Sequence, residues 1–180
     1  MTIPNIITMI RILLTPVFVI YVINDKLLTG LVVLIICGVS DGLDGLIARV
    51  FKQKSRLGSY LDPLADKIIL VSAFIALSIR GFLPSWLTVV VISRDVLILM
   101  GVIILYLNDV DLNIKPVISS KITTCFQFVT VIAVLAEEYL VGLQGYYPYL
   151  YYITAIFTII SFSQYLYQWL KTMGEKPDKQ

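Results

Sequence analysis

Apolar residues run along this chain in six long blocks separated by short polar or charged breaks. The blocks cover roughly 5–24, 28–50, 60–80, 84–107, 117–137 and 147–170. Each approaches the ~20 residues that carry an α-helix across a bilayer, and none shows the strict alternation of a strand. The breaks carry turn and charge signals: Asn24-Asp25-Lys26, Lys52-Gln53-Lys54-Ser55-Arg56, Arg80-Gly81, Asn108-Asp109-Val110-Asp111 and Glu137-Glu138. Pro84, Pro116 and Pro148 fall near predicted helix starts, where a missing N–H costs least. The pattern predicts an all-α integral membrane protein with six transmembrane helices. It forms one membrane domain over 1–173, followed by a polar tail over 174–180, and no internal repeat is visible.

Composition strengthens this picture. Of the 180 residues 58% are hydrophobic, above the ~45–50% of soluble domains. The net charge of +2 is no footprint for nucleic acid, and none is expected as a partner. The chain has no histidine, which removes Ser-His-Asp triads, His-ligated zinc and imidazole acid–base catalysis. Cys37 and Cys125 sit far apart in apolar blocks and are expected to behave as small hydrophobes, not as a disulfide. Tyr146, Tyr147, Tyr149, Tyr151 and Tyr152 are expected to form an interfacial belt. Met1–Asn5 shows neither a basic leader nor a cleavage site, so no removable signal is predicted.

Charge also sets orientation. Lys52, Lys54 and Arg56 fall between the second and third blocks, Lys115 between the fourth and fifth, and Lys171, Lys176 and Lys179 after the sixth. The other side holds Lys26 and Arg80, with Glu137 and Glu138. The positive-inside rule then places both termini and the 51–59 loop in the cytoplasm, and a bacterial cytoplasmic membrane fits.

The informative residues are charges inside apolar blocks, which cost several kcal/mol and mark function by default. They are Arg11, Asp41, Asp44, Arg49, Asp62, Asp66, Lys67, Arg94, Asp95 and Lys121. Asp41 and Asp44 are three apart, Asp62 and Asp66 four apart, so each pair shares a helix face. A short loop joins the two helices, which lets the pairs meet at one depth. Four converging carboxylates repel without counter-charge. With no imidazole available, oxygen-bound hard divalent cations are the natural remedy, and Mg²⁺ or Mn²⁺ held this way serves phosphoryl chemistry. Gly45, Ala48 and Gly58 let a bulky group approach, and Arg49 offers a donor fork to phosphate. Arg11 is one of these charges, and the structural alternative for it is snorkelling to the interface; Lys67 is expected to take an interfacial or pairing role.

The run Asp41-x2-Asp44-Gly45-x2-Ala48-Arg49-x8-Gly58-x3-Asp62-x3-Asp66 resembles, at every fixed position, the signature of the CDP-alcohol phosphotransferase family. The resemblance implies that Asp41, Asp44, Asp62 and Asp66 hold two divalent ions, Mg²⁺ or Mn²⁺. It implies that Asp66 is also the general base, and that Gly45, Ala48, Arg49 and Gly58 line the CDP site. The implied reaction is attack of an alcohol on CDP-diacylglycerol with release of CMP, by a homodimer in the bilayer with its site facing the cytoplasm.

Pro4-Asn5, Thr8, Arg11 and Pro16, then Ile92-Ser93-Arg94-Asp95 and Ser120-Lys121-Ile-Thr123-Thr124-Cys-Phe-Gln127, resemble phosphatidylglycerophosphate synthases and eukaryotic-type cardiolipin synthases. Arg94 and Lys121 would contact a phosphate on the acceptor. Glycerol 3-phosphate is the leading acceptor, with phosphatidylglycerol the alternative. Many phosphatidylglycerophosphate synthases carry a second arginine just after the position of Arg94. Here the chain reads Leu97-Ile98-Leu99-Met100-Gly101, which shifts weight toward phosphatidylglycerol. An ion or proton transporter is a remote alternative, since transporters also concentrate carboxylates in the membrane. Such a protein would place them near the midplane and would release no CMP.

Overall fold

The computed structural model describes residues 3–50, 56–107 and 118–174; within its helices, the side chains of 3–5, 42–50, 56–63, 102, 105–107, 141, 143–144 and 172–174 lie outside that description. Six α-helices follow in order: α1 (Ile3–Ile23), α2 (Leu27–Val50), α3 (Arg56–Ile79), α4 (Ser85–Leu107), α5 (Ile118–Leu135) and α6 (Tyr147–Gly174). Two short 3₁₀ segments, Glu137–Tyr139 and Val141–Tyr146, join α5 to α6. No strand occurs among the described residues. Two helical windows, Ile6–Ile23 and Ile118–Leu135, are long and apolar enough to cross a membrane. The helices start and stop within a few residues of the apolar blocks. The largest difference at a helix start is α3, which begins at Arg56 instead of 60, because helical backbone continues through a polar first turn that apolar patterning does not mark.

Packing divides the chain into two compact units: Met1–Pro84 with Val131–Gly142, and Ser85–Thr130 with Leu143–Gln180. In the first, α1 packs against both α2 and α3. The faces of α1 are inverted relative to a soluble helix. Ile6, Ile10, Leu13, Val17 and Ile20 point outward, while Thr8, Arg11, Thr15, Phe18 and Val22 are buried. The buried set follows the spacing of one helix stripe. Polar-in, apolar-out patterning needs an apolar surrounding, which a bilayer supplies. On α2 the buried stripe is Leu27, Leu34 and Cys37. Gly30 shares it: a Cβ there would lie 3.2 Å from Val22 Cγ2, so the glycine permits close approach of α1 and α2. Asp41 and Asp44 take the next register positions along that stripe. On α3 the stripe runs through Ala65, Ile69, Ala73, Phe74 and Leu77.

The ends of α1 and α3 close in the same way. Asp25 has φ 58°, with Lys26 N–H donating to Tyr21 C=O at 2.9 Å and Asp25 N–H to Val22 C=O at 3.1 Å. Gly81 has φ 79°, with Phe82 N–H donating to Leu77 C=O at 2.9 Å and Gly81 N–H to Ser78 C=O at 3.0 Å. Both are Schellman stops, in which a left-handed residue satisfies carbonyls of the last turn. The two stops are tied by Arg80, whose Nε donates to Asp25 Oδ1 at 3.0 Å and whose Nη2 pairs with Asp25 Oδ2. The hydrogen bond from Arg80 holds the Asp25 carboxyl below the usual carboxylate range. The pair is exposed, so it orients the turn more than it stabilises the fold.

The second unit packs α4 on α6. The seam between α5 and α6 is laced by hydroxyls: Thr130 Oγ1 and Thr154 Oγ1 lie 2.8 Å apart, and Thr123 Oγ1 donates to the Phe157 carbonyl at 2.9 Å. Small hydroxyl residues let membrane helices approach and bond across the seam. Phe126 stacks on Phe157, and Trp86 on Tyr152. Of the cysteines, Cys37 is buried and Cys125 exposed, and they form no disulfide.

Candidate active site

Within the first unit, three helices bring three charged side chains to one point. Arg11 on α1 donates from Nη1 to Asp41 Oδ1 on α2 at 2.8 Å and to Asp66 Oδ1 on α3 at 2.6 Å. The arginine side chain is 1% exposed, whereas both carboxylates are partly exposed. The guanidinium therefore forms the floor of the site, with the carboxylates lying between it and the surroundings. Thr8 and Thr15 are buried one turn to either side, and Thr15 Oγ1 donates to the Arg11 carbonyl at 3.1 Å. Two aspartates from separate helices, sharing one cationic nitrogen, put the first and last acidic positions of the signature at the same depth.

Of the two readings of Arg11 the geometry favours the inward one over snorkelling: its side chain is buried against α2 and α3. A guanidinium can be buried here because charge-assisted bonds to two carboxylates offset the loss of hydration. The signal was present in the sequence, in the stripe Thr8, Arg11, Thr15, Phe18, Val22. The remaining predicted site residues occupy helical backbone: Asp44, Gly45, Ala48 and Arg49 on α2, and Gly58 and Asp62 in the first turns of α3. Their side chains lie outside the described residues. Among the described residues no group of three or more carboxylate, thiol or imidazole ligands gathers; the two carboxylates that meet here are oxygen donors of the kind that suits a hard divalent cation such as Mg²⁺ or Mn²⁺. When bound, such ions would neutralise phosphate charge and stabilise the attacking and leaving oxygens.

In the second unit, Arg94 is 4% exposed and held on several sides. Nη1 donates to Asp95 Oδ1 at 2.6 Å, and Nη2 to Ser120 Oγ at 2.7 Å and Ser161 Oγ at 2.8 Å. The Tyr165 ring lies 5.8 Å from the guanidinium carbon. Arg94 thus joins α4, α5 and α6, with its charge met by Asp95. Lys121 follows Ser120 on α5 and is exposed.

In the first unit, apolar residues of α1 face outward while Arg11, Asp41 and Asp66 meet inside, an arrangement consistent with a membrane protein. The chain belongs to the CDP-alcohol phosphatidyltransferase family, whose model matches residues 1–161. Among similar proteins is a rat protein named cardiolipin synthase (CMP-forming), 37% identical over 151 residues, covering 75% of this chain and 50% of that protein. A Streptomyces coelicolor protein of the same name is 40% identical over 111 residues, covering 58% and 52%. An Aquifex aeolicus protein named CDP-diacylglycerol–glycerol-3-phosphate 3-phosphatidyltransferase is 29% identical over 176 residues, covering 94% and 93%. The match thus spans about half the length of the rat and Streptomyces relatives and nearly all of the Aquifex one.

Proposed function

We propose that this chain moves a phosphatidyl group from CDP-diacylglycerol to an alcohol, releasing CMP. The observation that carries this reading is the meeting of Asp41 and Asp66, the two ends of the signature, on a single buried guanidinium. In the proposed step the acceptor hydroxyl oxygen attacks the phosphorus that bears diacylglycerol. Asp66 takes the hydroxyl proton, the bond to the CMP oxygen breaks, and CMP leaves with the electron pair. Asp41, Asp44, Asp62 and Asp66 hold the divalent ions. Arg49 grips a phosphate of the CDP group, and Gly45, Ala48 and Gly58 leave room for it.

The surrounding architecture follows from the same reading. Six helices span the bilayer as one domain over 1–173, with both termini and the site on the cytoplasmic side of a bacterial membrane, and two chains pair as a homodimer. The lipid tails stay in the bilayer while the water-soluble CMP departs into the cytoplasm.

For the acceptor, phosphatidylglycerol is favoured, giving cardiolipin. Arg94 is paired with Asp95, so the two together carry no net charge, and 97–101 holds no second arginine. Lys121 then provides one positive charge, enough to neutralise the monoanionic phosphodiester of phosphatidylglycerol but not the dianion of glycerol 3-phosphate. The 37–40% identity to proteins named cardiolipin synthase points the same way. Glycerol 3-phosphate is the second reading, favoured by the full-length match to the Aquifex protein.

The test compares wild type with Lys121→Ala. Loss of a charge-assisted hydrogen bond is expected to raise the apparent KM for phosphatidylglycerol by about tenfold or more. The KM for CDP-diacylglycerol is expected to stay unchanged. An effect confined to CDP-diacylglycerol would remove Lys121 from the acceptor site.

A further inference from the structure

Arg11 performs no step in the proposed reaction, yet it is fully buried and bonded to two proposed cation ligands. A guanidinium stays charged throughout the accessible pH range, so its charge at this point is permanent. Two carboxylates drawn to one nitrogen repel, and although each is partly exposed, the low-dielectric helix walls beside them screen that repulsion less than bulk water does. In the protein without cations, some other positive charge must hold α2 and α3 together where Asp41 and Asp66 meet. Arg11 is in place to do so: it comes from α1, the helix against which both α2 and α3 pack.

We infer that Arg11 is a positioning residue that stands in for divalent cation charge, keeping Asp41 and Asp66 assembled before cations and CDP-diacylglycerol arrive. The inference rests on the proposed cation-binding role of these aspartates. It has a consequence that an ordinary structural ion pair lacks. Arg11 and bound cations attract the same carboxylates, so each is worth less to stability when the other is present, and their contributions are not additive.

The experiment is thermal unfolding of purified wild type, Arg11→Gln and Arg11→Lys in detergent, with EDTA and with saturating Mn²⁺. In EDTA, Arg11→Gln is expected to unfold roughly 10 °C below wild type, since the buried cation that ties two part-exposed carboxylates together is gone. Arg11→Lys, which keeps the charge but loses the fork, is expected to fall between. Saturating Mn²⁺ is expected to raise all three melting temperatures and to cut the gap between Arg11→Gln and wild type by more than half.

A gap of equal size with and without Mn²⁺ would make Arg11 a plain structural contact and overturn the inference, as would the absence of any gap in EDTA. If Arg11→Gln does not fold in either condition, Arg11→Lys carries the decision: a deficit that Mn²⁺ leaves unchanged overturns the inference, and one that Mn²⁺ narrows upholds it. A wild type whose melting temperature ignores Mn²⁺ would remove the cation site itself and the inference with it. A wild type that responds while the gap stays fixed would remove only the role of Arg11.

Discussion

Asp66→Asn is expected to lower turnover about a thousandfold while the protein still folds and still binds CDP-diacylglycerol. Loss of a positioned general base alone costs roughly 10²–10⁴ in rate. The fold should survive because an asparagine oxygen still accepts from Arg11, and Arg11 keeps its 2.8 Å bond to Asp41. The measurement is CMP release by the purified variant, with melting temperature and retention on immobilised CDP-diacylglycerol as controls. Turnover within tenfold of wild type would remove Asp66 as the base.

Removing divalent cations should have an effect at least as large. The site concentrates carboxylates, and CDP-diacylglycerol brings a pyrophosphate of the same sign. Without cations, the substrate meets net repulsion that Arg11 and Arg49 only partly offset. Losing a single oxyanion donor already costs about 10²–10³ in kcat elsewhere. Dialysis against EDTA is therefore expected to reduce turnover by about a thousandfold or more, with recovery on adding Mg²⁺ or Mn²⁺. Undiminished turnover in EDTA would contradict the cation-binding role of the four aspartates.

The parts of this account that were legible in the sequence are those set by local periodicity. Apolar block length gave six helices, and aspartate spacing put Asp41 and Asp66 on helix faces able to converge. The start of α3 was placed late because Arg56–Tyr60 is polar enough to hide a helical turn from a hydropathy pattern. For Arg11 the sequence left two readings open, an inward functional charge and a snorkelling one, because a lone arginine in an apolar block is compatible with both. Only the position of α2 and α3 against α1 tells the two apart. Arg94 shows the other limit. A cation was visible within the fourth block, but its bonds to Ser120 and Ser161 join three helices, and no spacing along one helix encodes them. The pairing of Arg94 with Asp95, adjacent in the chain, was available from sequence, and it changes the charge offered to an acceptor.

Phosphatidyl transfer with release of CMP is read out by an acceptor panel. Purified protein with Mg²⁺ or Mn²⁺ receives CDP-diacylglycerol and, separately, phosphatidylglycerol, glycerol 3-phosphate, serine or inositol phosphate. CMP and lipid products are then quantified by mass. Phosphatidyl transfer predicts one CMP for each cardiolipin formed with phosphatidylglycerol, with phosphatidylglycerophosphate as the product if glycerol 3-phosphate is the true acceptor. Protein that is folded and cation-loaded, yet releases no CMP with any acceptor, would contradict it.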